Sequence, residues 1–456
     1  MTRSPSHLAL AFAALAVTAS PALAWGPPQI VSSAGSEGRS PAVAMNRTGV
    51  TAMAWVQGPW ARRAVAVSVR DGAGRWDDPV RVSPRGGAAI DPRVVVDSAG
   101  RVTVVWRQAT GSQRLRIGGR AIVRVKWVVR ARTRTSDGAW GAVATLSPDR
   151  LKVGAPEVAV DAAGTAVAVW HWGTGTSPLL SGFVGQVQVA TMSDGRWSRL
   201  RRVSGVPGCS EERRPRVAVG SRGDTVVWWQ CDVRGGSTAF AVTRGAGDTG
   251  WSARRELRFR TRSDQRADLD VSSDGAVTAV SAARGGAVRW WRGEVGSDGL
   301  SLSPLPQPSV IERADDAAGA PDIDVDSSGD ALSAWIASGG RGAVRAAPVA
   351  ALLGAGSPTT LLGGGPARNI RIRSGAERRG TVAWIERAGT ARATVVAAAR
   401  DDDGAWSTPR RLSARGGIVL ASSPRLAGTG ARAVVAWERV IAGGRRVVER
   451  AEFPAP

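Results

Sequence analysis

The stretch Pro92-Arg-Val-Val-Val-Asp-Ser-Ala-Gly-Arg-Val-Thr-Val-Val-Trp106 decides the fold, because it recurs along the chain. Residues 156–170 and 321–335 repeat it with the same spacing of Pro, Asp, Gly and Trp. Further copies begin at Pro41, Pro215 and Pro424, and weaker ones near Ala267 and Arg368. The closing positions, 49 to 64 residues apart, hold Trp55, Trp106, Trp170, Trp228, Ser281, Trp335, Trp384 and Trp437. A period of this length is typical of architectures that stack one supersecondary unit many times.

Each repeat has the pattern of four strands. Two Val-rich runs flank an Asp-x-x-Gly turn, in which Asp bonds the backbone and Gly supplies a positive φ. A third strand follows, as in residues 64–69, and a fourth opens with a second Trp and carries Ser seven residues later, as in Trp76 to Ser83. Four strands per repeat predict an all-β chain with a single β-propeller of about eight blades, seven being the alternative count.

The two ends of the chain complement each other. The last repeat stops after its third strand, while Trp25 to Ser32 has the Trp-to-Ser spacing of a fourth strand. We therefore expect the N-terminal strand to complete the last blade and close the ring, which removes two free sheet edges. The expected blades are 41–83, 92–147, 156–204, 215–258, 267–303, 321–362, 368–413, and 424–453 with 25–32.

The N-terminus has the pattern of a secretory signal peptide. Arg3 precedes an apolar run at residues 8–17, and residues 22–24 form a small-residue cleavage site. We expect cleavage after Ala24, a propeller over residues 25–456, and release outside the cell as a monomer. The apolar run is too short to span a bilayer, so no membrane span is expected.

The amino-acid composition argues against several kinds of catalytic and metal site. The chain has 19 Trp, two Cys, two His and no Tyr, and His7 lies in the signal segment. A His/Cys metal site and a His-based catalytic triad are therefore not expected, and neither is a cofactor. The net charge of +23 comes almost wholly from scattered Arg, which favours compositional bias and solubility over a dedicated site for anionic polymers such as wall teichoic acids, acidic glycans or nucleic acid. Specific nucleic-acid binding is not expected.

The two cysteines flank one hairpin. Cys209 precedes the first strand of the fourth blade and Cys231 follows its second strand. An antiparallel hairpin brings those ends together, so we expect a disulfide in a secreted protein.

The turns between third and fourth strands contain Ser193-Asp-Gly-Arg-Trp197, Ser136-Asp-Gly-Ala-Trp140 and Asp403-Gly-Ala-Trp406. They resemble degenerate Asp-box turns of the sialidase-like (BNR-type) propeller superfamily. The resemblance implies a propeller whose Asp-box turns lie away from the active site. Enzymes of that family use a Tyr nucleophile, and this chain has none. We therefore assign none of that family's catalytic residues to this chain. The absence of Tyr favours a non-catalytic member of the superfamily.

The loops beside the channel mouth are the expected place for a ligand site. They include residues 107–122, 171–186, 205–214, 304–320 and 438–445. The candidate ligand-binding residues follow the closing Trp positions and are Arg107, Gln108, His171, Trp172, Gln230, Glu386 and Glu438. Among them, Trp172 is suited to stacking on a sugar and Arg107 to pairing with a carboxylate.

Three functions stay open at this point. The first is a binding module for a glycan, an anionic wall polymer or a protein partner. The second is a glycoside hydrolase with two loop carboxylates, from among Glu211, Glu212, Asp232, Glu312, Asp315, Asp316, Glu386 and Glu438. The third is a structural module of the cell envelope. The run Asp322-Ile-Asp-Val-Asp326 lacks the Gly and Glu of an EF-hand and has strand alternation, so no calcium site is expected there.

Overall fold

The computed structural model describes most of the chain after the first 23 residues. The described residues are 24–117, 120–173, 185–205, 209, 211–233, 236–257, 267–282, 287–296, 298–305, 321–337, 343–350, 358–361, 365–388, 392–414, 418–420 and 424–454. The predicted signal peptide lies outside them, apart from Ala24. No helix in this part of the chain is long and apolar enough to cross a membrane.

Eight antiparallel sheets follow one another around a central channel, which confirms a propeller of eight blades. The first strand, β1 (Gln29–Ile30), belongs to the last blade. From inside to outside, blade 1 contains β2 (Gly38–Met45), β3 (Thr51–Gln57), β4 (Ala64–Arg70) and β5 (Val80–Arg81), and blade 2 contains β6 (Ala89–Val96), β7 (Val102–Ile117), β8 (Arg120–Arg134) and β9 (Ala144–Thr145). Blade 3 contains β10 (Glu157–Val160), β11 (Ala166–Gly173), β12 (Gly185–Ser193), β13 (Arg196–Trp197) and β14 (Arg201–Arg202). Blade 4 contains β15 (Glu211–Val219), β16 (Thr225–Val233), β17 (Gly236–Arg244) and β18 (Arg255–Glu256).

Blade 5 contains β19 (Ala267–Val271), β20 (Ala276–Ala282), β21 (Val288–Gly296) and β22 (Gly299–Pro304), and blade 6 contains β23 (Asp322–Val325), β24 (Ala331–Ile336), β25 (Val344–Pro348) and β26 (Thr359–Leu361). Blade 7 contains β27 (Ala367–Ser374), β28 (Gly380–Ala388), β29 (Arg392–Arg400) and β30 (Arg410–Arg411). Blade 8 contains β31 (Ile418–Val419), β32 (Arg425–Gly428), β33 (Ala433–Val440) and β34 (Arg446–Phe453). Two short 3₁₀ turns, Trp60–Arg62 and Ala442–Gly444, join strands in blades 1 and 8.

The ring closes as the chain ends predict. β1 pairs antiparallel with β34, and the backbone N–H groups of Gly26 and Val31 extend the ladder to the carbonyls of Glu452 and Val448, each at 2.9 Å. The Trp25 ring lies 5.3 Å from the Phe453 ring and is buried. The last blade thus obtains its outer strand from the other end of the chain.

In seven of the eight blades, the Trp near the end of the second strand is buried against the preceding blade. Trp106 packs with Val67 and Val69 of blade 1, and Trp55 packs with Ala436 and Val448 of blade 8. These side chains are fully buried. The repeated Trp residues therefore join the blades, as expected for large aromatic side chains at sheet interfaces.

The fourth blade requires a correction of one residue. Sequence analysis put Trp228 at the closing position, but Trp229 packs against Val169 and Val187 of blade 3. Trp228 packs instead against Leu269 of blade 5. Because successive side chains of a strand point to opposite faces, a shift of one residue exchanges the two blade interfaces.

The Ser that follows each outer Trp by seven residues has a backbone partner. The hydroxyl oxygens of Ser83, Ser147, Ser204, Ser413 and Ser32 accept hydrogen bonds from third-strand N–H groups at 2.7 to 3.2 Å. These bonds occupy donors of the third strand where the short fourth strand ends. The spacing is therefore a structural feature, and Ser32 shows that the closing strand obeys it.

A disulfide joins Cys209 to Cys231, with the two Cα atoms 5.4 Å apart. Cys231 lies in β16, the second strand of blade 4, and Cys209 precedes its first strand. The bond ties the start of the blade to the end of its first hairpin on the loop face.

Candidate functional site

The inner strands place one ring of side chains in the central channel. Because strand residues alternate, the residue after the repeated Pro points inward in each blade. This ring, in blade order, consists of Ala42, Arg93, Glu157, Arg216, Asp268, Asp322, Arg371 and Arg425. Two residues further on, Asp270, Asp324 and Arg373 also line the channel. Five arginines and five carboxylates thus surround a cavity of about 310 Å³.

Part of this charge is paired within the channel. Arg93 donates two hydrogen bonds to the Glu157 carboxylate, both at 2.9 Å. The Arg373 guanidinium lies 3.6 Å from Asp324 and 3.7 Å from Asp322. The Arg93 cation holds the pKa of Glu157 below its usual value despite burial. The neighbouring aspartates raise the pKa of Arg373.

Four aspartates on blades 5 and 6 form an acid cluster, defined as Asp268, Asp270, Asp322 and Asp324. Each carboxylate accepts a backbone N–H from the inner strand of the next blade. The donors are Ile323 at 3.4 Å, Val325 at 2.9 Å, Ile372 at 2.8 Å and Ser374 at 2.7 Å. An inner strand has a free edge facing the channel, so these bonds occupy N–H groups that otherwise have no ladder partner.

Burial in the channel raises pKa values within the acid cluster. Desolvation, assisted by the charge of neighbouring aspartates, raises the pKa of Asp268 to about 7 and that of Asp324 to about 8. Burial also raises the pKa of Asp270 to about 6, against two backbone hydrogen bonds that lower it. These three carboxyl groups therefore bind protons close to neutral pH.

Arg425 is the ring arginine that has no acidic neighbour in the ring. Its neighbours in the ring are Arg371 on blade 7 and Ala42 on blade 1, so an acidic side chain stands on neither side. Burial and the charges of Arg93, Arg371 and Arg216 lower the pKa of Arg425 to about 9. Among the residues that the structure describes, Arg425 has neither an ion pair nor a side-chain hydrogen bond.

Most of the candidate ligand-binding residues at the ends of the second strands form hydrogen bonds within the blades. Arg107 donates to the Asp91 carboxylate and to the Val153 carbonyl, both at 2.7 Å. Gln108 accepts from the buried Trp106 indole at 3.0 Å and donates to the Gly87 carbonyl at 2.7 Å. Both side chains therefore have structural partners, and a ligand role for them stays a prediction.

His171 and Trp172 lie beside Arg107 between blades 2 and 3. Burial and the Arg107 cation lower the pKa of His171 to about 4, so its imidazole is neutral at physiological pH. Trp172 donates to the Gln186 amide oxygen at 3.1 Å, and the Arg150 guanidinium lies 5.1 Å from its ring centre. The Trp172 ring face already has a cation next to it.

Gln230, Glu386 and Glu438 are buried on other blades. Glu438 accepts hydrogen bonds from the Ser40 backbone at 3.1 Å and from Arg446 at 2.9 Å. Gln230 and Glu386 each have one buried side-chain oxygen without a hydrogen-bond partner among the described residues. No described contact joins these three side chains to one another or to Arg107, His171 and Trp172.

The loop carboxylates considered for a hydrolase are only partly within the described residues. Glu212 is buried and accepts hydrogen bonds from the Ser204 hydroxyl and, at 2.9 Å, from the Gly205 backbone. Glu312, Asp315 and Asp316 lie outside the described residues, as do the side chains of Glu211 and Asp232. Within the described part of the chain, no group of three or more His, Cys, Asp or Glu is arranged to hold a metal ion.

Sequence reasoning missed the channel residues, although a signal was present. The position after the repeated Pro is charged in most blades, while the residue that follows it is Val, Ile or Leu. Asp322 and Asp324 were recognised as strand residues but not as channel residues. An inward-facing charge repeated on strands that are otherwise apolar is the pattern that points to a polar channel.

Comparison with known proteins gives likeness of fold at low identity. A protein of unknown function from Dyadobacter fermentans DSM 18053 has a TM-score of 0.47 and 9% identity, over 96% of this chain and 100% of that one. Puromycin hydrolase has a TM-score of 0.49 and 13% identity, over 91% of this chain and 61% of that one. The NanB sialidase of Streptococcus pneumoniae has a TM-score of 0.41 and 11% identity, over 94% and 70%.

No family model matches the chain, and neither does any curated protein. The solved structures include sialidases and other β-propellers, and at this level of similarity they carry no argument about activity. Membership of the sialidase-like superfamily therefore stays a prediction from the turn motifs.

Proposed function

We propose that this protein is a secreted, non-catalytic binding propeller that holds an anionic group of a glycan or wall polymer in its central channel. The observation that supports the proposal is Arg425, a partly buried cation with no partner among the described residues. Ala42 leaves the adjacent place in the ring without a charged side chain. A ligand carboxylate or phosphate in that gap supplies the missing negative charge.

The energetics favour an anion at this position. Two further arginines, Arg93 and Arg371, repel Arg425 and make its cation costly in the unliganded channel. A bound anion reverses the sign of that interaction, and a guanidinium binds planar carboxylates and phosphates through two parallel hydrogen bonds. Sites built for ligands are commonly destabilised without them, which explains why a fold keeps an unpaired buried charge.

Replacing Arg425 with alanine is expected to weaken anion binding. The probes are glucuronate, for a glycan carboxylate, and glycerol phosphate, for a wall-polymer phosphodiester chain. The loss of one charge-assisted contact lowers affinity by roughly tenfold to a hundredfold. Isothermal titration calorimetry measures the change, and the preferred probe distinguishes the two sources of anion.

Two companion variants make the experiment specific. Ala42→Glu places a carboxylate in the gap, so it is expected to block binding while keeping Arg425 and raising stability. Arg410→Ala removes an exposed cation of the outer strand β30 and is expected to leave binding unchanged. Equal losses in Arg425→Ala and Arg410→Ala would mean that net charge alone attracts the probes, and the channel proposal would fail.

We propose secretion on two grounds. Residues 3–24 have the pattern of a cleavable signal, and a disulfide joins Cys209 to Cys231. Disulfides persist in oxidising compartments outside the cytosol. Mass spectrometry of the protein from culture supernatant is expected to show a chain that begins at Trp25.

One observation favours a second function, a glycoside hydrolase. The acid cluster brings carboxyl groups from blades 5 and 6 together, with pKa values raised by burial as a general acid requires. Against this, each carboxylate is occupied by a backbone N–H of the next blade. Release of reducing sugar from a panel of glycans, abolished by Asp324→Asn, would replace the binding proposal by the hydrolase.

A further inference from the structure

The second hairpin of blade 2 extends far beyond the ring. β7 and β8 contain 16 and 15 residues, whereas the corresponding β3 and β4 of blade 1 contain seven each. Sequence analysis treated residues 107–122 as a loop, and the structure corrects this, because strand pairing continues to Ile117 and Arg120. The extra residues project the arm, defined as residues 111–117 and 120–125, by roughly 20–25 Å.

The arm carries one sign of charge. No Asp or Glu occurs between residues 107 and 134. Arg114, Arg116, Arg120 and Arg124 are exposed on the arm and have neither an ion pair nor a side-chain hydrogen bond among the described residues. Lys126, at the base, pairs with Asp149 at 3.4 Å. The cationic side chains beyond the base are therefore free to meet an external anion.

Aliphatic side chains lie between these arginines on both faces of the ribbon. Leu115 pairs with Ile122 across the two strands, so both point to one face, and both are only half-buried. Val123 pairs with Arg114 on the opposite face and is 61% exposed. Both faces of an uncovered two-stranded ribbon thus expose apolar and cationic groups together.

We propose that the arm docks on the surface of an anionic lipid bilayer. A phosphate-rich polymer lying along the ribbon neutralises one face and leaves the aliphatic groups of the other in water. A bilayer surface accepts both faces at once, because Leu115, Ile122 and Val123 enter the headgroup region while the arginines bind lipid phosphates. This occupant accounts for both the charge and the apolar exposure of the arm.

The test is flotation of the purified protein with lipid vesicles. Vesicles of phosphatidylcholine mixed with phosphatidylglycerol are expected to bind the protein, and phosphatidylcholine alone to bind it weakly. Reversing two charges, Arg116→Glu with Arg120→Glu, weakens binding roughly thirtyfold or more. The matched control Arg201→Glu with Arg202→Glu changes the net charge equally on an exposed outer strand and is expected to leave binding nearly unchanged.

A second variant separates lipid insertion from charge attraction. Leu115→Ser with Val123→Ser keeps every charge and is expected to weaken vesicle binding roughly tenfold. The arm lies outside the ring, so the thermal midpoint of each variant is expected to match that of the parent. Parental vesicle binding by the serine variant, or equal losses in the two charge-reversed variants, overturns the proposal. The channel is not involved, so Arg425→Ala leaves vesicle binding intact.

Discussion

Replacing Trp25 with alanine is expected to lower the free energy of unfolding by about 3–5 kcal/mol. The Trp25 side chain is 4% exposed and packs on Phe453 in the core between blades 7 and 8. It is the anchor of the strand that closes the ring. Its indole N–H has no hydrogen-bond partner among the described residues, so the expected loss comes from packing and not from a broken polar contact.

Chemical denaturation followed by circular dichroism measures this loss. The matched control is Trp60→Ala, because Trp60 is 56% exposed, and the change there is expected to stay within about 0.5 kcal/mol. A chain that begins at residue 33 lacks the closing strand and leaves the edge of β34 open. Size-exclusion chromatography is expected to show self-association of that chain, since an open edge pairs with other strands. Parental stability in Trp25→Ala would show that closure does not hold the ring together.

The closing strand was predictable because its signal is local. The interval from Trp25 to Ser32 equals that of the outer strands of blades 1, 2, 3 and 7, and in all five blades the Ser hydroxyl oxygen accepts a third-strand N–H. Period, turn chemistry and strand alternation likewise predict about eight blades without any knowledge of distant contacts, and the structure has eight. Trp228 and Trp229 mark the limit of this reasoning, because two adjacent Trp residues leave the register open by one position.

The candidate site was harder to predict from the sequence, because it depends on which side chains of different blades lie next to each other. Whether Arg425 has a partner depends on Arg371 and Ala42, which lie on the two neighbouring blades and far away in sequence. The loop-face candidates are predicted from their place just after the closing Trp positions, yet Gln108 and Glu438 are buried and bonded to neighbouring segments. Composition and spacing name the charged residues, but only the closed ring decides which of them neutralise one another.

The protein is expected to be less stable at pH 8 than at pH 6.5, by about 2 kcal/mol. Burial raises the pKa of Asp268 to about 7 and that of Asp324 to about 8. In the unfolded chain both groups ionise near 3.8. Between these limits the folded state binds more protons than the unfolded state, so stability falls as the pH rises through the folded pKa values.

The other charged groups near the acid cluster add little to the pH dependence of stability between pH 6.5 and pH 8. Arg216, Arg371 and Arg373 are the cations that face the cluster. The pKa of Arg425 is lowered only to about 9, which lies above the window. The pKa of His171 falls from 6.5 to about 4, so His171 costs stability as the pH falls towards 6.5 and below, by about 0.4 kcal/mol at pH 6.5. This small opposing effect leaves the aspartates to set most of the slope between pH 6.5 and pH 8.

Asp324→Asn tests the origin of the slope. An asparagine cannot ionise, so the difference in unfolding free energy between the two pH values is expected to shrink to under about 1 kcal/mol. Asp402→Asn is the control, because its bond with Arg379 lowers the pKa of Asp402, which titrates far below the window. A parental protein with equal stability at both pH values would mean that the acid cluster is fully ionised, with its arginine neighbours compensating the burial. The same protonation makes the channel more positive at pH 6.5, so anion binding beside Arg425 is expected to strengthen as the fold becomes more stable.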